Sequence, residues 1–230
     1  MSIPIHVPTD QWMGERREFA RHGAHTGPAA AVARYDGGVV LVSANASPHL
    51  HRIGEIHDRL AMVGAGRFHE VDRLRITGIR QADLRAYAYD RLDVTGRALA
   101  STFSRLMGAT MARFDEKPYE VELAVAELGA VPAQDRIFTV AWDGTVHETT
   151  GPVTLGGVDP QAAQVSSTQL AEPTDLGTTL TVVTEALASA AGAEGEAAPP
   201  EVAVLERHGD RRRRFRRLGD EEVAAWTSRP

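Results

Sequence analysis

The sequence predicts an α+β fold of four layers, in which two β-sheets pack face to face between layers of helix and one further helix precedes the first strand. Short β-type runs fall into three groups, within residues 29–64, 121–155 and 202–218. Two stretches of helical spacing, within 68–114 and 160–191, separate those groups. An order of strands, two helices, strands, two helices, strands suits paired sheets with helices on their outer faces.

The elements follow in chain order. Residues 1–9 (MSIPIHVPT) carry two prolines and no helical period, so they read as an extended or mobile tail ahead of a single domain spanning 10–230. A helix is expected from Asp10 to His22, capped by Thr9 or Asp10, with Trp12, Phe19 and Ala20 on one stripe and Gly23 ending it. Ala29 to Tyr35 and Val39 to Ser43 flank Asp36-Gly37-Gly38, turn chemistry that closes a hairpin. Beyond a loop containing Pro48, strands are expected over His51 to Ile56 and Leu60 to Gly64. The latter enters Val63-Gly64-Ala65-Gly66, where missing side chains let backbones approach.

Apolar spacing of three and four then gives helices over His69 to Tyr89 and Thr95 to Phe114, the second capped by Asp93 or Thr95. Strands return at Val121 to Leu128 and Ile137 to Trp142, and Asp143-Gly144 turns the latter into Thr145 to Glu148. Val153 to Leu155 leads to helices over Pro160 to Leu170 and Asp175 to Ala191. The segment Gly192 to Pro200 (GAEGEAAPP) reads as a flexible loop inside the domain. Strands Val202 to Leu205 and Arg214 to Leu218 and a helix from Asp220 to Trp226 complete the chain.

Composition narrows the function. The chain has 230 residues, 43% of them hydrophobic and 24% charged, as in a soluble globular protein. No apolar run approaches a membrane span and the start lacks a signal-peptide pattern, so a cytoplasmic protein without membrane contact is expected. The absence of cysteine removes disulfides, thiolate metal sites and cysteine nucleophiles. A net charge of −6 argues against nucleic acid as a partner, and the basic run Arg211 to Arg217 reads as a strand whose arginines are solvated or paired with nearby acids. His49 and His51 would share a strand face near His57, but no carboxylate cluster completes a metal site; His69-Glu70-Val71-Asp72 lacks the second histidine of a zinc-protease helix, and Gly64-Ala65-Gly66 is too short for a nucleotide fingerprint. No metal and no cofactor is expected.

Several long segments then resemble one family. Tyr87 to Arg97 (YAYDRLDVTGR) and Lys117 to Glu127 (KPYEVELAVAE), with Glu18-Phe19-Ala20-Arg21, Tyr35 to Val39, Asp72 to Arg75 and Glu201 to Leu205, resemble the actinobacterial branch of the proteasome α-type subunits, over nearly the whole chain from about Pro8. The resemblance implies an Ntn-hydrolase-like sandwich and a heptameric ring of α subunits stacked on rings of catalytic β subunits. In the catalytic branch a freed amino-terminal threonine is the nucleophile and its own amine the base, tuned by a lysine and an aspartate. Anchored on Gly37-Gly38, those positions are implied to be Pro28, Arg52 and Ala44, so no catalytic residue remains. The resemblance further implies an amino-terminal gate (Ser2, Ile3, Pro4, Ile5, His6, Val7, Pro8). It also implies a pocket between neighbouring α subunits that receives the carboxy-terminal tails of a ring ATPase of the AAA type: Arg52 where the family has a lysine, Gly27 and Gly66 as small walls, and Glu18 from the neighbour. The Asp10 to His22 helix and the arginines between Arg73 and Arg97 are candidate subunit contacts. The alternative is a free-standing, non-catalytic binding module on the same scaffold.

Overall fold

In the computed structural model, which describes residues 9–45, 47, 49–157, 168–190, 200–209 and 213–227, ten strands form two antiparallel sheets of five. The first sheet runs in the order β10 (Phe215–Leu218), β9 (Pro200–Glu206), β2 (Gly38–Ala44), β1 (Ala30–Tyr35), β8 (Val153–Leu155). The second runs β3 (Ile53–His57), β4 (Leu60–Gly66), β5 (Val121–Glu127), β6 (Arg136–Val140), β7 (Val146–Thr149). Helices α2 (Phe68–Ala88) and α3 (Gly96–Ala112) cover the second sheet, while α4 (Leu176–Ala190) and α5 (Asp220–Thr227) cover the first. Helix α1 (Thr9–His25) packs against β4, β5 and α3.

Strand alternation feeds three core layers. Val40 and Val42 of β2 face α4, whereas Val39 and Leu41 face the other sheet. Likewise Met62 and Val125 face α2 and α3, and Ala61, Val63, Ala124 and Ala126 face inward. The middle layer is rich in alanine, so the two sheets approach closely across small side chains. Because both faces of these strands are buried, their sequences read as continuous apolar runs instead of alternating ones.

Several boundaries differ from expectation, each for a physical reason. Helix α1 does not stop at Gly23 but continues to His25. A Cβ on Gly23 would lie 1.9 Å from Glu120 Oε2, so this glycine makes room for a carboxylate inside the helix and does not end it. The expected apolar stripe holds in part: Ala20 is fully buried and is joined by Ala24, Trp12 stacks on Phe114 with centroids 5.2 Å apart, but Phe19 is half exposed beneath Lys117. Strand β3 starts at Ile53, not His51, because the Arg52 amide is taken by Glu201 before the ladder begins. The β4 ladder extends past Gly64, through Gly66 opposite Val121. Strand β6 ends at Val140 because residues 141–144 form the turn, Trp142 among them, with the Gly144 amide donating to the Ala141 carbonyl at 2.8 Å. Pro200 opens β9 opposite Ala44, where a flexible loop was expected. Thr95 caps α3 by accepting from the Ala98 amide, as the spacing predicts. The tail 1–8, most of the expected 160–170 helix and loop residues 192–199 lie outside the described residues.

The basic run resolves into pairs. Arg213 bonds Glu55, Arg216 spans Glu206 and Glu222, and Arg217 bonds Glu201. Arg211 and Arg212 lie outside the described residues.

Candidate inter-subunit pocket and stacking surface

Gly27, Gly66 and Arg52 converge although 39 residues of sequence separate the two glycines. Gly66 closes β4 with φ +97°, and a Cβ there would stand 2.1 Å from the Glu120 carbonyl oxygen. A Cβ on Gly27 would stand 2.6 Å from the Gly66 Cα, so the chain entering β1 crosses the end of β4 backbone against backbone. Arg52 lies in the connection that crosses from β2 in one sheet to β3 in the other. Its side chain is largely buried, with Nη1 donating to the Gly66 carbonyl at 2.9 Å and the guanidinium 5.9 Å from the Phe68 ring centre. Burial lowers its pKa, against the opposing charge of Glu201, yet an arginine stays cationic at any physiological pH.

That geometry leaves a defined donor edge. With Nη1 held by Gly66, the Nε and Nη2 side of the guanidinium has no partner among the described residues. Two parallel N–H groups on one edge match the two oxygens of a carboxylate. Glu18 does not join this group within one chain. It stands on the exposed face of α1, its carboxyl held below the usual range by the hydrogen bond from Arg21, at 2.7 Å.

The positions implied for peptidase chemistry lie at the same end of the sandwich. Pro28 is exposed just ahead of β1, and Ala44 ends β2 with its amide donating to the Ala29 carbonyl at 3.0 Å. Neither side chain carries an ionisable or nucleophilic group. The Ser43 hydroxyl nearby is buried and spent on the Ala29 and Ala44 carbonyls.

Two supporting groups were not foreseen. Glu70 and Glu120, both almost fully buried, share Lys117, whose Nζ lies 2.5 Å from one and 2.6 Å from the other. Burial pushes the Glu120 pKa up, but the Lys117 hydrogen bond and charge, with the charge of Arg67, outweigh it and hold the carboxyl below its usual range. Lys117 is the one lysine among 25 lysines and arginines. A compact ammonium serves two separate carboxylates where a planar fork is shaped for one, and that lone lysine was the available signal. The second group centres on Glu201, which holds the crossing that carries Arg52. Nothing local in Glu201-Val202-Ala203 marks that role, since its partners come from a distant loop.

The turn between α2 and α3 projects an apolar tip. Leu84, Tyr87, Tyr89 and Leu92 are 64%, 93%, 75% and 74% exposed, far more than isolated surface residues need explaining. The tip is nevertheless ordered: Asp90 and Asp93 form a reciprocal cap, Arg85 donates to the Asp93 carbonyl at 2.8 Å, and Arg91 grips Asp58 at 2.6 Å. Of the arginines expected to make subunit contacts, Arg75, Arg85 and Arg91 also bond within the chain, while Arg73, Arg80 and Arg97 are exposed, so the surface presents apolar and basic groups together.

The family model for proteasome subunits matches residues 24–205. Curated relatives of similar length include the proteasome subunit alpha of Acidothermus cellulolyticus, 40% identical over 222 residues that cover 95% of this chain and 94% of the relative. That of Kineococcus radiotolerans is 41% identical over 236 residues, covering 97% of each chain, and that of a Nocardioides strain is 42% identical over 224 residues, covering 95% and 86%.

Proposed function

This chain belongs to the proteasome subunit family, resembling its α-type members throughout, and from that premise we propose that it is a non-catalytic ring subunit that controls entry to a proteolytic chamber and docks an activator. What carries this reading is the residue at the position where the resemblance implies that the catalytic branch keeps its nucleophile. Pro28 has no hydroxyl and its nitrogen is locked in the chain, Ala44 supplies no carboxylate, and Arg52 is too basic to relay a proton. Peptide cleavage therefore belongs to β-type partners. The α2–α3 tip, with two exposed tyrosines on a capped turn, suits burial against such a partner ring, because large rigid aromatics bring area at small entropic cost.

Coexpression with the cognate β subunit tests the reading. Native mass measurement is expected to find the chain in a stacked barrel, whereas a persistent monomer would favour the free-standing binding module. Peptidase activity of the purified chain alone would overturn the reading outright.

Docking and gating follow from the same assembly. Arg52, with Gly27 and Gly66, forms one wall of a pocket that Glu18 of a neighbouring copy completes, and the carboxy-terminal tails of a ring ATPase enter it. One terminal carboxylate binds weakly, but linked tails around a ring multiply the affinity through effective concentration. Residues 1–9 act as the gate, in a protein that works in the cytoplasm. Deleting Ser2 to Val7 is expected to raise hydrolysis of short peptides by assembled particles several-fold without any activator; particles whose rate does not change have no gate in this segment.

A further inference from the structure

We infer that Glu201, with Arg217, is the positioning residue that sets the activator pocket, by holding the crossing from β2 to β3 so that Arg52 presents its free donor edge. The inference rests on the docking role proposed for Arg52 and adds what holds that side chain in place.

Glu201 sits on β9, on the same strand face as Ala203 and Leu205, which line the layer between the sheets. Its carboxylate therefore emerges at the margin of that layer, where the 45–52 segment passes from one sheet to the other. Only 9% of the side chain is exposed, and its two oxygens are fully used. Oε2 accepts from Asn45 Nδ2 and from the Arg52 amide, both at 2.8 Å. Oε1 accepts from Arg217, lies 3.3 Å from His51 Nδ1 and is 3.4 Å from the Ile53 amide. Arg217 closes the clamp by also donating to the Ile53 carbonyl, and Asn45 closes it on the other side by donating to the Leu50 carbonyl at 2.7 Å.

Five groups from residues 45 to 53 and from β10 thus meet one buried carboxylate. The amide of Arg52 itself is among them, so Glu201 fixes the backbone from which the Arg52 side chain leaves. Gly66 and Phe68 then fix where the guanidinium ends. Hydrogen bonds to a charged, desolvated acceptor are stronger than neutral ones. A neutral amide at position 201 keeps the shape but turns one acceptor oxygen into a donor facing donors, which releases the crossing. Arg52 then samples other rotamers and loses the alignment that a two-oxygen grip requires.

The test uses assembled core particles and a synthetic peptide ending in the free carboxylate of a ring ATPase tail, compared with the same peptide amidated at its end. Wild-type particles are expected to bind the free acid at least tenfold more tightly than the amide. Glu201→Gln is expected to bring the two affinities within about threefold of each other by weakening only the acid, because the lost contact is the one to the carboxylate. If Glu201→Gln prevents assembly, Arg217→Met answers the same question, since it removes one partner of the clamp and the hold on Ile53. A merely structural role would weaken acid and amide alike, and would refute positioning; so would wild-type discrimination in both variants. Wild-type particles that do not distinguish acid from amide would refute the docking role of Arg52 itself.

Discussion

Arg52→Ala is expected to remove most activator-stimulated protein degradation from assembled particles, read as the ratio of stimulated degradation to basal peptide cleavage. Truncating one partner of a desolvated charge pair costs about 2–5 kcal/mol, which is roughly 30-fold or more in the affinity of each tail. Loss at every pocket of a ring removes the linkage that makes weak tails effective. Arg52→Lys discriminates further. It keeps the sign but exchanges a fork anchored on the Gly66 carbonyl for a point charge, so it is expected to retain docking with altered preference among tails. An equal fall in basal and stimulated rates in Arg52→Ala would assign the residue to assembly, and an unchanged ratio would exclude it from docking.

Arg207→Met is expected to destabilise the chain by about 3–5 kcal/mol, the usual loss when one member of a buried ion pair is removed. Arg207 follows β9 and is buried with Asp135, which is 1% exposed. The two are joined in parallel, Nη2 to Oδ2 at 2.6 Å and Nη1 to Oδ1 at 3.0 Å, and Nη1 also donates to the Gly129 carbonyl at 2.7 Å. The Arg207 amide donates to the Gly37 carbonyl at 2.9 Å, so this pair ties the first sheet to the β5–β6 connection of the second. Without the guanidinium, Asp135 is left desolvated with the Gly129 amide as its remaining partner. For a chain of this size the midpoint of thermal unfolding should fall by roughly 10 °C. Asp135→Leu added to Arg207→Met is expected to recover part of that loss, because apolar groups replace both charges. A single variant that melts with the parent would show that the pair is not a fastening between the sheets.

Legibility followed the range of each signal. The two long helices, the hairpin turns and the final helix were readable because spacing, caps and turn chemistry are local: Thr95 caps α3 and Gly38 opens β2 as their neighbours in sequence require. The class of strands was readable as apolar runs, but their ends were not. His51 and Arg52 fell outside β3 because a glutamate 149 residues away takes the Arg52 amide, and α1 passed through Gly23 because a distant carboxylate fills the space above it. Both are contacts that no window of sequence contains. The same holds for the site: Pro28, Ala44 and Arg52 could be named by alignment to the family pattern, whereas Glu201, Arg217, Lys117 and Phe68 acquire their roles only by where the chain returns.

By itself, the sequence determined the resemblance to the α-type branch and which side chains stand where that resemblance implies the catalytic groups, a proline, an alanine and an arginine. It also determined the layered class, because apolar runs, helical spacing and turn chemistry are all signals local in the sequence. Only the tertiary structure decided which donor edge of Arg52 is open, which carboxylate bonds the Arg52 amide, and that the α2–α3 turn exposes two tyrosines and two leucines beside its arginines. Those outcomes depend on hydrogen-bond partners and exposure, quantities that come into being when segments far apart in the chain are brought within a few ångströms of each other.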